Sequence, residues 1–183
     1  MIATKHTLVA LVADKPGVLN RMASLFRRRG FNIASIAVGS SETPHLSRMT
    51  IVVNGSTAMV EQVRKQLDKV IDVVRVSDIT DTNLVSRELA LIKVKANSTT
   101  RSEIIQIVDI FRANIVDVSP DSVTVEVTGD EDKVDSLFKL LSSFGVKELS
   151  RTGRIAMPRG GLNHLAGEQK LPRTRAKKQK IQD

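Results

Sequence analysis

The chain contains no cysteine, no tryptophan and no tyrosine, and only five phenylalanines. Without cysteine there is no disulfide framework, no thiolate nucleophile and no thiolate metal site, which fits a reducing compartment. Without the large rings, a base-stacking surface for single-stranded nucleic acid is hard to build. Long apolar runs are missing too. Leu8–Ala13 is six residues long and ends at Asp14 and Lys15, far short of the ~20 residues that span a bilayer. No basic region precedes it and no small-residue cleavage site follows, so neither a signal peptide nor a membrane partner is expected. The expectation is a soluble, cytoplasmic protein. His6, His45 and His164 are scattered without metal-ligand spacing. No Walker loop, G-x-S-x-G, G-x-G-x-x-G or H-E-x-x-H occurs. No catalytic residue, metal ligand or cofactor of its own is therefore expected.

What remains is globular in proportion. Hydrophobic residues make up 41% and charged residues 26% of 183, enough for one ordinary domain or two small ones. The net charge is +8, and it is unevenly placed. From Arg159 onward there are seven basic and two acidic residues, whereas residues 1–158 hold 21 and 18. The folded part is only mildly basic, so a nucleic-acid partner is not expected from charge alone. Gly160-Gly161 and the Lys/Arg/Gln-rich stretch after it leave little to bury, and residues 159–183 read as a flexible basic tail. Solvation, an acidic patch on a partner, and nonspecific attraction to nucleic acid are all open roles for it.

The periodicity repeats. Thr7–Ala13 is apolar throughout and reads as a buried strand. Asp14 and Pro16 suit a helix start, with Asp14 as its cap. Val18, Leu19, Met22, Leu25 and Phe26 then share one helical face, and Gly30 stops the helix after three arginines. Phe31–Val38 alternates as a strand, Leu46–Val53 is another, Asn54-Gly55 turns the chain, Met59–Leu67 is helical and Val70–Val76 is a fourth strand. The order is βαββαβ, a ferredoxin-like unit. Glu88–Ala96, a helix opened by a capping box at Thr100–Glu103, the strands Asn114–Val118 and Ser122–Val127, a helix from Asp130 to Gly145, and an edge strand Val146–Leu149 repeat that order. The expected class is α+β with two such domains in tandem: residues 1–79, a polar linker at 80–87, and residues 88–158.

One spot suggests binding. Asp14-Lys15-Pro16-Gly17-Val18-Leu19 is a strand-to-helix turn. Free N–H groups at a helix start carry partial positive charge and suit a carboxylate. Gly17 lets a ligand approach the backbone, and Asp14 offers a carboxylate to an ammonium. The pair suits a free amino acid. Asn32 opens the next strand, near this turn or that of a symmetry mate. The same residues are also an ordinary helix start and an ordinary strand-end cap, and spacing alone leaves both readings open.

A resemblance narrows the choice. Asp14-Lys15-Pro16-Gly17-Val18-Leu19, Arg29-Gly30-Phe31-Asn32-Ile33 and Leu46-Ser47-Arg48-Met49-Thr50-Ile51, followed by Lys65–Lys69 with Asp72-Val73, Arg87–Val94, and Ile110-Phe111-Arg112 with Asp117-Val118, resemble the small, regulatory subunits of acetolactate synthase. The likeness spans about residues 4–158, and residues 1–79 resemble the ACT domain, an amino-acid sensor. It implies a chain with no catalysis of its own that activates a catalytic large subunit and confers feedback inhibition by valine or a related branched-chain amino acid. Thiamine diphosphate, a flavin (FAD) and magnesium would belong to that partner. It also implies a homodimer through ACT domains, with the effector between the turn Asp14, Lys15, Pro16, Gly17, Val18 and Leu19 of one domain and Asn32 and Ile33 of its mate. Some members carry an amide where this chain has Asp14. The competing readings are an amino-acid-responsive ACT-type transcription regulator, for which no helix-turn-helix signal is present, and a stand-alone transferase or mutase on the same fold.

Overall fold

In the computed structural model, which describes residues 4–160 and Leu165, the chain opens on strand β1 (Thr4–Ala13). Its continuous apolar run has a physical cause: β1 is an inner strand, and Leu8, Val9, Ala10, Leu11 and Val12 are all buried. Helix α1 (Val18–Arg28) follows. It ends in left-handed Gly30, with Gly30 N–H donating to Arg27 at 3.2 Å and Phe31 N–H to Phe26 at 3.1 Å. This is a Schellman closure, and it brings Phe31 out of the expected strand onto the same core as Phe26. Strands β2 (Ile33–Ser40) and β3 (Leu46–Gly55), helix α2 (Thr57–Leu67) and strand β4 (Val73–Asp78) complete the unit. Its antiparallel sheet runs β2-β3-β1-β4. Leu8, Ala10, Val12, Met49, Ile51 and Val53 meet Val18, Met22, Phe26, Val60, Val63 and Leu67 of the two helices in one core.

The second unit begins at β5 (Leu84–Lys95). Helix α3 (Arg101–Ile110), strands β6 (Asn114–Ser119) and β7 (Ser122–Gly129), helix α4 (Glu131–Ser142) and strand β8 (Val146–Arg151) repeat the order. The sheet runs β6-β7-β5-β8, and a ninth strand, β9 (Ile155–Pro158), pairs with the start of β5. Ala90, Ile92, Val94, Val123, Val125 and Val127 face Ile104, Val108, Val134, Leu137 and Leu141. The two cores share no residue. The class is α+β, with two ferredoxin-like βαββαβ units in tandem, as expected.

Local corrections have simple causes. Residues 84–87, read as linker, are strand, because β9 supplies their hydrogen-bond partners from Leu84↔Pro158 to Arg87↔Ile155. Arg159, read as the first residue of the tail, is tied to the same edge: its N–H donates to Asn83 at 2.8 Å and its Nε to Leu84 at 3.1 Å. The rest of that expected tail lies outside the described residues, apart from Gly160 and Leu165. The box at Thr100–Glu103 does not form. Asn97 Oδ1 instead accepts from the amides of Thr99 and Thr100 at 3.0 and 2.9 Å, and Thr100 Oγ1 accepts from the Asn97 amide at 3.1 Å. The same reciprocal pattern therefore lies three residues earlier.

Helix α2 carries a pH-dependent pair. Arg64 donates twice to Glu61, Nε to Oε2 at 2.8 Å and Nη2 to Oε1 at 2.7 Å. These bonds hold the carboxyl at about 2, below the ordinary 4.5. A depressed folded value means that the pair's contribution is complete above the ordinary value and is lost as pH falls through about 2. An NMR titration of the Glu61 side chain should find its midpoint near 2, and Arg64→Gln should return it to the usual carboxylate range. A wild-type midpoint already in the usual range contradicts the pairing.

Candidate functional site

The first strand-to-helix corner departs from what its residue types suggest. Asp14 does not cap α1. Its side chain is exposed, and its amide donates to the His45 carbonyl at 2.8 Å, in the β2–β3 loop. The N-cap is Gly17, at φ 88° and ψ −8°, with no side-chain acceptor for the helix amides. That left-handed backbone favours glycine. Gly17 accepts the Arg21 amide at 3.1 Å, while the amides of Val18, Leu19 and Asn20 find no acceptor among the described residues. The other helix starts are closed by their own side chains. Ser56 accepts from Met59 N–H, Asp130 from Lys133 N–H, and Asn97 occupies the corner before α3.

The surroundings of the corner are charged and open. A Cβ built on Gly17 would meet nothing within 4 Å. Pro16 and Leu19 are exposed, and Val18 turns into the core. Lys15 Nζ lies 2.6 Å from Asp72 Oδ1, off the angle of a well-aligned hydrogen bond, and Arg21 Nη1 donates to Asp72 Oδ2. Two cations thus surround one buried carboxylate and leave an excess of one positive charge beside the free amides. The exposed carboxylate of Asp14 stands at the start of the same turn. A group with an anionic and a cationic end matches this arrangement.

Asn32 and Ile33 are placed elsewhere. Asn32 is exposed just before β2, and Ile33 packs partly on the first core. They follow the C-terminal end of α1, whose 11 residues make it about 16 Å long. Within one chain they therefore lie at the far end of the helix from Gly17. Sequence reasoning missed Arg21, His45 and Asp72. His45 left one signal: it is the loop's left-handed non-glycine residue, at φ 63°, a conformation in which Asn, Asp and His are enriched. Among the described residues there is no group of three or more His, Asp or Glu side chains that could hold a metal ion, and no helix is long and apolar enough to cross a membrane.

Two βαββαβ units, the first with an uncapped helix start after its opening strand, define a tandem ACT-type fold. Residues 8–75 match a family model described as the AHAS small subunit-like ACT domain, and residues 87–160 match one described as the small subunit of acetolactate synthase. A probable acetolactate synthase small subunit of Archaeoglobus fulgidus is 58% identical over 156 residues, 85% of this chain and 98% of that one. Another probable acetolactate synthase small subunit, from Methanothermobacter thermautotrophicus, is 57% identical over 85% of this chain and 93% of its own. The crystal structure of the acetolactate synthase small subunit from Thermotoga maritima superposes with a TM-score of 0.80 at 45% identity, covering 87% of this chain and 99% of that one. The chain belongs to the acetolactate synthase small-subunit family.

Proposed function

We propose that this chain is the non-catalytic regulatory subunit of a cytoplasmic acetolactate synthase. It binds a catalytic large subunit, raises its activity and makes it sensitive to valine or a related branched-chain amino acid. Thiamine diphosphate, flavin and magnesium belong to the partner. The observation that carries the effector reading is the uncapped start of α1 beside the Lys15 and Arg21 cations. The effector carboxylate is received by the amides after Gly17 and its ammonium by Asp14. Charge-assisted hydrogen bonds contribute about 1.5–3 kcal/mol each. Burial of one branched side chain adds roughly 1.5–3 kcal/mol. After ordering costs, that sum suits micromolar to millimolar sensing of a metabolite pool.

The enclosing wall comes from a second copy. Strand β2 is a sheet edge with no charged residue from Ile33 to Ser40, and Ile36 and Val38 are exposed on it. An uncharged apolar edge invites strand pairing. Two copies joined antiparallel along β2 carry their α1 helices in opposite directions. Asn32 at the far end of one helix then stands near the Gly17 turn of the other, which reconciles their placement at opposite ends of the 11-residue helix within a chain with a shared pocket. Because the pocket lies on the seam, ligand binding changes the dimer. It regulates only insofar as the two states of the complex bind ligand unequally.

The test is reconstitution. The chain should co-purify with its cognate large subunit and stimulate acetolactate formation, and L-valine should then inhibit. Asn32→Ala should weaken inhibition about tenfold, the loss of one charge-assisted contact, with stimulation retained. Unchanged turnover on mixing rules out the regulatory reading, and an Asn32→Ala variant that keeps full valine sensitivity removes Asn32 from the pocket.

A further inference from the structure

Asp72, between α2 and β4, is fully buried. A buried carboxylate persists only where cations and hydrogen bonds compensate it. Among the described residues, the groups that compensate it come from the first strand-to-helix corner and the first turn of α1. Lys15 Nζ stands 2.6 Å from Oδ1, and Arg21 Nη1 donates to Oδ2. The Asp72 carbonyl accepts the Ala13 amide at 2.8 Å. Asp72 therefore grips the corner on both sides of Gly17. Both cationic side chains remain about half exposed, at 49% and 53%, so their charge still reaches solvent. Arg21 lies one turn into α1, and helical side chains lean toward the N-terminus.

We propose that Asp72 is the positioning residue of the effector turn. It locks Lys15 and Arg21 in place, so that the corner offers a preorganised positive pole to a ligand carboxylate. This rests on the reading of the turn as an effector site. Preorganisation and plain charge predict opposite signs for one substitution. Asp72→Asn removes a negative charge and raises the local positive charge. If Asp72 acted through its charge alone, an anionic group would bind more tightly. If it acts by holding the two cations, binding weakens although the field grows more positive.

The experiment is calorimetry on the full chain with L-valine, L-leucine and L-isoleucine. It compares wild type, Asp72→Asn and a core control, Val63→Ala, which removes fully buried volume from the first core without touching a charged group. Each variant is also assayed with the catalytic subunit. The expected result is a Kd for Asp72→Asn raised about tenfold or more by lost preorganisation. Val63→Ala should stay within about twofold, because an apolar side chain makes no hydrogen bond or ion pair to Lys15 or Arg21. Stimulation of the catalytic subunit should persist in Val63→Ala. Equal or tighter binding by Asp72→Asn overturns the proposal while leaving the effector site intact. So does an equal loss in Val63→Ala, which would make the effect one of stability. A wild-type chain that gives no heat with any of the three amino acids overturns the effector reading, and this proposal with it.

Discussion

Replacing Gly17 with valine should raise the Kd for a branched-chain effector on the order of a hundredfold, a loss near 3 kcal/mol. The reason is backbone geometry. Gly17 sits at φ 88°, where a residue with a Cβ is strained by roughly 1–2 kcal/mol and a β-branched one by more. No neighbour would clash, since an added Cβ meets nothing within 4 Å. The chain relieves the strain by rotating φ to negative values, which re-aims the amides of Val18 and Leu19. Two charge-assisted hydrogen bonds at about 1.5–3 kcal/mol each are then misdirected. Gly17→Ala should fall between wild type and Gly17→Val, because the penalty tracks branching rather than volume. Stability should fall by the strain alone, about 1–2 kcal/mol in Gly17→Ala and more in Gly17→Val, and stimulation of the catalytic subunit should survive. The measurements are calorimetry with L-valine and a valine titration of the reconstituted enzyme. A Gly17→Val chain that binds valine as tightly as wild type would show that the left-handed corner is not the receptor.

The same residue marks the boundary of what the sequence could say. Helix α1 was legible because Val18, Met22, Leu25 and Phe26 recur at helical spacing and all four are buried. Gly30 was legible as its stop because few other residues close a Schellman turn cheaply. The class of fold followed from element order alone. Start geometry was harder. Asp14, Gly17, Asn97 and Thr100 all have types that can open a helix, and local types do not say which of two neighbours takes the role. At Asp14 the role went to Gly17 because the helix begins only at Val18, which leaves Asp14 three positions before the cap. At Thr100 it went to Asn97, which had the same reciprocal geometry available. The polar look of residues 80–87 hid the start of β5, because residues 84–87 have little apolar alternation and take their hydrogen-bond partners from β9, from Leu84↔Pro158 to Arg87↔Ile155, a separation beyond any local pattern. Asp72 was illegible as an anchor for a longer-range reason. Its partner Arg21 is 51 positions away, and no local pattern pairs one acid with one of 28 basic residues.

Phe26→Ala should be the most destabilising of these substitutions, costing about 3–5 kcal/mol. Phe26 heads the largest fully buried side chains. It is also the acceptor of the Phe31 amide that closes α1, at 3.1 Å, and Phe31 packs against the same core. Removing the ring leaves a cavity in the core on which Phe31 packs, while the backbone carbonyl that accepts the Phe31 amide is kept. A small domain holds only about 5–15 kcal/mol in all, so a loss of this size consumes much of the first unit's margin. Hydrogen exchange locates the damage, which optical probes cannot easily do in a chain without tryptophan or tyrosine. Protection should fall at the amides of β1 and β3, whose Leu8, Ala10, Met49 and Ile51 line that core. It should persist at β5 and β7, whose Ile92, Val94, Val123 and Val125 line the other. Leu137→Ala, buried in the second core, should reverse the pattern at about 2–5 kcal/mol. Uniform loss across both units from either substitution would mean that the two cores unfold as one, and that separate side-chain clusters do not make separate cooperative units here. The split outcome leaves a distinct functional trace. Phe26→Ala should blunt the valine response, because α1 carries the Gly17 corner at its start, and the second unit should remain folded throughout.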